Sequence, residues 1–265
     1  MSDNSEESVI LEIRGLNKSF GTVHVLDALD LHIPNSKECT VAVLGQNGAG
    51  KTTLLNVITR LTSADAGTIK VFGQDILARP AHRLVDCGVS RTFQMPRLML
   101  DETCIDNVMV GALATMSRNR RRLRRATEVS AGALEHLGLL AMARRRVGDL
   151  SFGNRKLVEL ARALSSSPRL LLLDEPAAGL SDAEEKRLIE VLHRLRLDGV
   201  SILLIEHRMA VVASVATRVV MLDAGRLIFD GSAEEMLRSD VVRERYLGAG
   251  FDQIELEMVI PVARP

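Results

Sequence analysis

A chain that carries Gly45-Gln46-Asn47-Gly48-Ala49-Gly50-Lys51-Thr52-Thr53 has few folds open to it. The run fits the phosphate-loop pattern G-x-x-x-x-G-K-[ST], with Gly45 first, Gly50 sixth, then Lys51 and Thr52. Glycines let backbone approach phosphates closely and take up φ > 0. Successive backbone N–H groups then form an anion-binding concavity at a helix N-terminus, where the helix dipole adds positive potential. Lys51 would reach the β- and γ-phosphates as a point charge, and the Thr52 hydroxyl would ligate Mg²⁺. A Gly-rich turn can match such a pattern by chance, so the flanks matter. Thr40-Val-Ala-Val-Leu44 reads as a buried strand before the loop, and Thr53-Leu-Leu-Asn-Val-Ile58 begins a helix after it. Strand, loop and helix together make residues 45–53 the candidate nucleotide-binding set.

The surroundings of the loop predict an α/β domain. Short strands are expected at 9–14 and 29–33, separated by a turn at Gly21, and another at 67–72, closing at Gly73. Residues 88–94 run strand-like into Pro96, which should end any regular element. From 101 to 146 the character becomes helical, with Ile105, Val108, Met109 and Leu113 at helical spacing and Leu134, Leu137 and 140–142 further on. We read a small helical subdomain, about 95–165 with its flanks, inserted into the α/β core. A helix over about 154–165, a buried strand at 170–174, a helix over 182–197 and an apolar strand at 201–206 follow. Continuously apolar strands alternating with helices predict a mostly parallel sheet covered on both sides. A strand at 226–229 and one or two helices ending near 246–248 complete the domain. Residues 251–265 alternate apolar positions and could form a strand.

Composition narrows the class further. Apolar residues make up 46 % of the 265 positions, ample for one large domain or a core with a subdomain. Thirty-four basic residues balance thirty-four acidic ones, so no global charge points to nucleic acid. One local excess stands out: six arginines among residues 118–125. That run reads as a solvated helix face or loop, as a contact for anionic lipid or an acidic partner, or, with no aromatics interleaved, least readily as a nucleic-acid site. Cys39, Cys87 and Cys104 are scattered, which suggests small buried hydrophobes in a reducing compartment. No apolar run nears the eighteen or so residues of a membrane span, and the acidic start 1–8 is unlike a secretory signal. The expectation is a soluble, cytoplasmic protein whose membrane association comes through a partner.

Four features beyond the loop carry chemistry. The apolar run 170–174 delivers Asp174 at its C-terminal edge, where a Mg²⁺-holding carboxylate belongs, and Glu175 follows in position to act as general base on an attacking water. The alternative reading of Asp-Glu-Pro, a helix-capping turn, loses ground beside a phosphate loop. The second feature is Leu150-Ser-Phe-Gly-Asn154 before a helix. It resembles the LSGGQ signature of the ATPase subunits of ATP-binding-cassette transporters, with Phe152 where that pattern has its first Gly and Asn154 where it has Gln.

The resemblance spans roughly 9–248, leaving 1–8 as a flexible start and 249–265 as a tail. It implies a phosphate-loop NTPase core, an N-terminal antiparallel β-subdomain and the helical insert. It implies that Ser151 and Gly153 contact the γ-phosphate of ATP bound to the opposite subunit. Gln94 is then the glutamine that senses Mg²⁺ and the attacking water and relays to the membrane partner. His207, after the strand at 201–206, hydrogen-bonds the γ-phosphate and orients Glu175. Phe20 stacks on adenine. In the loop that follows, Ser181 stands where the general family has Asp, and Asp182 is expected to cap the next helix.

The runs 88–94, 174–180, 205–207 and 245–248 are most similar to ATPases of branched-chain or hydrophobic amino acid uptake. The resemblance therefore implies Mg²⁺-dependent ATP hydrolysis by a homodimer, or a heterodimer with a sister ATPase. Such a dimer docks on integral permeases at the cytoplasmic face of the inner membrane and is served indirectly by a substrate-binding protein. Cargo is not in these residues. Amides or urea fit as well as amino acids, and an exporter such as a lipopolysaccharide-type system is the alternative. A cassette acting on DNA or ribosomes would carry a long coiled coil or two cassettes, and this chain has neither. The intact Asp174-Glu175 pair argues against a non-hydrolysing module.

Overall fold

The structure, a computed structural model, describes residues 9–35, 39–117, 119–239 and 242. In chain order its elements are β1 (Val9–Phe20), β2 (Val23–Pro34), β3 (Thr40–Leu44), α1 (Lys51–Ile58), β4 (Ala66–Val71), β5 (Gln74–Asp75), β6 (Val89–Arg91), α2 (Cys104–Thr115), α3 (Arg122–His136), α4 (Phe152–Leu164), β7 (Leu170–Asp174), α5 (Asp182–Leu197), β8 (Ser201–Ile205), α6 (Met209–Val215), β9 (Arg218–Asp223), β10 (Arg226–Gly231) and α7 (Ala233–Arg238). The unbroken apolar runs are strands, and every residue of β3, β7 and β8 is buried. That is what a strand covered on both faces requires. The described chain divides into two compact units, one made of residues up to Arg83 and from Leu203 onward, the other of Leu84–Ile202.

The first unit holds an antiparallel sheet in the order β2-β1-β4-β5 and the strands β10-β9-β3-β8. β1 runs well past the expected 9–14. Its register shifts between Ile13 and Leu16, and Gly15 sits at φ 54°. The bulge absorbs the break in alternation and lets the strand continue to Phe20. β3 and β9 are parallel, whereas β10 returns antiparallel to β9. Both α6 and β9 were missing from the sequence reading, although Val219-Val-Met-Leu222 is an apolar run of strand length. Val212 of α6 and Val219 and Met221 of β9 join Ala42, Leu44, Met236 and Val242 in one buried cluster. Each valine, leucine and methionine among them contributes roughly 1.5–3 kcal/mol on burial. The expected strand at 251–265 and the helix end at 246–248 lie outside the described residues.

In the second unit β6 pairs in parallel with β7, and Ser201 at the start of β8 donates its N–H to Arg169 O at 3.0 Å. β6 is only three residues long, because the chain leaves the sheet before Pro96. Against α2 pack both α3 and α4. A Cβ on Gly111 would run into the Arg162 carbonyl, so only glycine lets α2 lie this close to α4. Ser165 Oγ donates to Val108 O across the same contact at 2.8 Å. Apolar spacing marked Ile105, Val108, Met109 and Leu113; of these Val108 is fully buried, and the other fully buried positions of α2 are Cys104, Asn107 and Ala112. Asn107 is hidden because its amide makes three bonds, to Met99 N, Met99 O and Thr103 O, which offset the cost of burying it. All three cysteines are buried, as expected of small hydrophobes.

Candidate functional site

The phosphate loop lies wholly in the first unit, between the all-buried β3 and the start of α1. Two glycines are obligatory by close approach. A Cβ on Gly45 would strike the Leu222 carbonyl, and one on Gly50, at φ 102°, would come within 2.6 Å of Val25 O. The loop is thus seated against backbone from β2 and β9. Gly225 braces it further, donating to Ala49 O at 3.2 Å and accepting from Asp27 N at 3.1 Å. α1 begins with no side-chain cap and no acidic residue in its first turn. Its first N–H groups and dipole are therefore left to an external anion. Gln46, Asn47, Gly48 and Thr52 are exposed, Thr53 is half-buried, and Ala49 and Lys51 are buried. Lys51 Nζ donates to Gly45 O at 2.6 Å and Gln46 O at 2.9 Å, so its ammonium is held over the loop.

The same unit carries Phe20 and His207. Phe20 ends β1 with 52 % of its surface exposed, and Lys18 Nζ sits 5.2 Å from its ring centroid. That leaves an aromatic face available for stacking. His207 follows β8, where the buried Glu206 carboxylate accepts the His207 and Arg208 amides at 2.8 and 3.3 Å and fixes the turn.

Gln94, Ser151, Gly153, Asp174 and Glu175 belong to the second unit. β7 delivers Asp174, buried, to its C-terminal end, and Glu175 follows in the left-handed region at φ 47°. A non-glycine residue held there is strained and must be over-determined by its surroundings. Two bonds do this. Gln94 Nε2 donates to Glu175 Oε2 at 2.7 Å, and Lys156 Nζ of α4 donates to Glu175 O at 2.6 Å. The structure therefore brings Gln94 and Glu175 together across 81 residues of chain.

Ser151 caps α4, its Oγ accepting from Asn154 N at 3.2 Å and donating to Glu184 Oε1 at 3.2 Å. Phe152, the departure from the signature pattern, turns its ring against Gly179 and lies 5.4 Å from Lys156 Nζ. The helix start is thus preserved around it. Ser181, and not Asp182, caps α5: it forms a capping box with Glu184, while Asp182 is the first helical residue. The serine hydroxyl reaches the third amide of the helix, a geometry that favours Ser and Asp alike, and Asp182 adds negative charge near the positive end of the dipole.

Magnesium fits the residues present. Such a cation takes most of its ligands from phosphate and water, so it asks the protein for only one or two oxygens. Thr52 offers an exposed hydroxyl. Asp174 uses only Oδ2 for Arg91 Nη2, at 2.8 Å, and a carboxylate has acceptor sites to spare. Burial pushes the Arg91 guanidinium below its ordinary value, and Asp174 opposes that shift.

Sequence reasoning missed Arg91 and Glu159. Glu159 is 1 % exposed, and its carboxylate accepts Phe93 N at 3.1 Å and Arg97 N at 2.9 Å, bracketing Gln94. The signal was present: Glu159 is a lone acid within Leu157-Val-Glu-Leu-Ala161, on the buried face of a helix.

Comparison with known proteins shows the family. The ABC transporter family model matches residues 26–178. The chain is 35 % identical to the high-affinity branched-chain amino acid transport ATP-binding protein BraF of Pseudomonas aeruginosa, over 90 % of this chain and 98 % of that protein. It is 34 % identical to the corresponding LivG of Escherichia coli K12, with the same coverage. Among solved structures, a nucleotide-free ATP-binding cassette from an ABC transporter superposes with a TM-score of 0.80 at 29 % identity, covering 90 % of this chain and 98 % of that one. The ADP conformation of such a cassette gives 0.79 at 30 % identity, covering 91 % and 99 %. No helix of the described residues is long and apolar enough to cross a membrane. With the α/β fold, the phosphate loop and these relatives in agreement, the chain belongs to the ABC transporter family, as an ATP-binding cassette ATPase.

Proposed function

We propose that this chain is the ATP-hydrolysing subunit of an importer for branched-chain or related hydrophobic amino acids, and that Glu175 is its general base. The observation that carries the reading is the Gln94–Glu175 hydrogen bond of 2.7 Å at the end of β7, in a chain whose relatives are branched-chain amino acid transport proteins. In this mechanism Lys51 leaves its loop carbonyls for the β- and γ-phosphates, and the loop amides hold charge on the transferring group. Phe20 stacks on adenine and His207 donates to the γ-phosphate. Thr52 and Asp174 are the residues that would hold Mg²⁺, which would supply positive charge to offset that on the phosphate oxygens. Glu175 takes the proton of the attacking water, which Gln94 orients. Ser151 and Gly153 serve the nucleotide of a second subunit, so the working unit is a dimer, of two copies or with a sister ATPase. It acts beneath a membrane permease at the cytoplasmic face and is supplied by a substrate-binding protein.

Glu175→Gln tests the chemistry. It should bind ATP normally and hydrolyse it at least about a hundredfold more slowly. Near-normal turnover would remove Glu175 from the role. Cargo is tested separately, by co-purifying the chain with a permease and measuring substrate-stimulated ATPase activity with leucine, urea and short amides.

A further inference from the structure

The chain leaving β6 toward the helices is fastened at an unusual number of points. Thr92 N–H continues the sheet to Leu172 O at 3.0 Å, and Arg91 reaches Asp174. The Phe93 ring lies between two guanidinium groups, Arg91 at 4.9 Å and Arg97 at 4.1 Å from its centroid. Glu159 takes the amides of Phe93 and Arg97, one on each carboxylate oxygen. Arg162, one turn further along α4, donates both to Glu159 Oε1 at 3.1 Å and to Arg97 O. Gln94 stands inside this bracket with its side chain on Glu175, whose own carbonyl is held by Lys156.

Lys156 and Glu159 are three residues apart and so share a face of α4. One helix face therefore holds both partners of the Gln94–Glu175 bond. The same helix starts at Ser151, and the rise of an α-helix puts Glu159 only about 12 Å along its axis from that cap.

We propose that Glu159 is a positioning residue for hydrolysis. By clamping residues 93–97 it ties Gln94, and through it Glu175, to the helix whose first residues meet the nucleotide of the second subunit. This rests on the role of Glu175 proposed above. Displacement of Ser151 by an arriving phosphate would then move the orienting glutamine with it, because the carboxylate makes the two a single body. The chemistry of the clamp is specific to a carboxylate. Both of its oxygens accept, whereas the amide of a glutamine would turn one acceptor into a donor facing another N–H. A charged acceptor also strengthens both bonds inside a buried site.

The test combines a cycle with an exchange measurement. Glu159→Gln should lower kcat at least tenfold with the KM for ATP unchanged, and in a Gln94→Ala background the same change should have no further effect. In the nucleotide-free protein, Glu159→Gln should speed amide hydrogen exchange at Phe93 and Arg97 at least tenfold while the amides of β7 keep their protection. Full additivity with Gln94→Ala, or unchanged exchange at both amides, overturns the proposal. Should Glu159→Gln fail to fold, Arg162→Lys, which keeps the carboxylate and removes the fork behind it, should show the same pattern more weakly; no change in either measurement overturns the clamp. Exchange is read without ATP, so failure of the Glu175 reading and failure of the clamp are told apart.

Discussion

Two helix N-termini in this protein are expected to meet phosphate, and they are built differently. α1 opens on glycine, without a side-chain cap or an early acid, and its loop is pressed against the Val25 and Leu222 carbonyls. α4 opens on a serine that already caps its own helix and donates to Glu184. A carboxylate thus sits beside the signature helix start, close enough that a Cβ on Gly153 would meet it. The first site has no side-chain cap and no acidic residue in its first turn. The second is satisfied internally, so an incoming phosphate must replace a partner it already has. On the function proposed above, such a site would be engaged when a second subunit brings a stronger anion.

Ser151→Ala should sharpen the contrast most. Hydrolysis should fall roughly 10²–10³-fold, the scale of losing a donor to the transferring group, while ATP binding by the separate chain is unchanged in a fluorescent-nucleotide titration. Lys51→Ala should do the reverse, weakening ATP binding about 10–100-fold, the scale of a lost charge-assisted contact. Mixing the two inactive variants should restore part of the turnover, because each mixed dimer rebuilds one site from an intact loop and an intact signature. If mixing restores nothing, the two helix ends do not serve a shared nucleotide.

Smaller effects follow from Glu184. Glu184→Ala removes the capping box of α5 and should cost about 1 kcal/mol in denaturant unfolding, yet strengthen ATP-dependent dimerisation measured by sedimentation. Hydrogen bonds from the Ser181 amide, then the Ser181 and Ser151 hydroxyls, hold the Glu184 carboxyl below its ordinary value. A depressed carboxylate contributes stability above its unfolded pKa and loses it as pH falls through the folded one. The difference in Tm between wild type and Glu184→Ala should therefore shrink below about pH 4 and be constant above pH 6.

Legibility of the chain followed the range of the interactions. β3, β7 and α5 have the bounds expected of them because their signals are local: an unbroken apolar run, or an amphipathic stripe with a cap. β9 was not expected, although its apolar run at 219–222 is as local a signal as that of β3. β6 was expected to be longer, since its end is decided by neighbours far along the chain. α2 shows the same limit at single residues, where Asn107 takes a core position that apolar spacing assigned elsewhere. Among site residues the phosphate loop, Asp174 and Glu175 were readable from type and spacing. Glu159 and Arg91 were not, because their value lies in partners that sequence distance conceals.

The sequence by itself marked residues 45–53 as a phosphate loop, because a backbone that must approach an anion restricts its residues to glycine wherever a Cβ would clash. It also determined the class of chemistry, since an Asp-Glu pair at the end of an apolar strand has few other uses beside such a loop. Only the tertiary structure decided that Glu175 is held in the left-handed region by Gln94 and Lys156, and that Ser151 is already paired with Glu184. Those are bonds between residues 19 to 81 positions apart. Their strength depends on orientation and burial, which no residue type carries until the chain has folded around it.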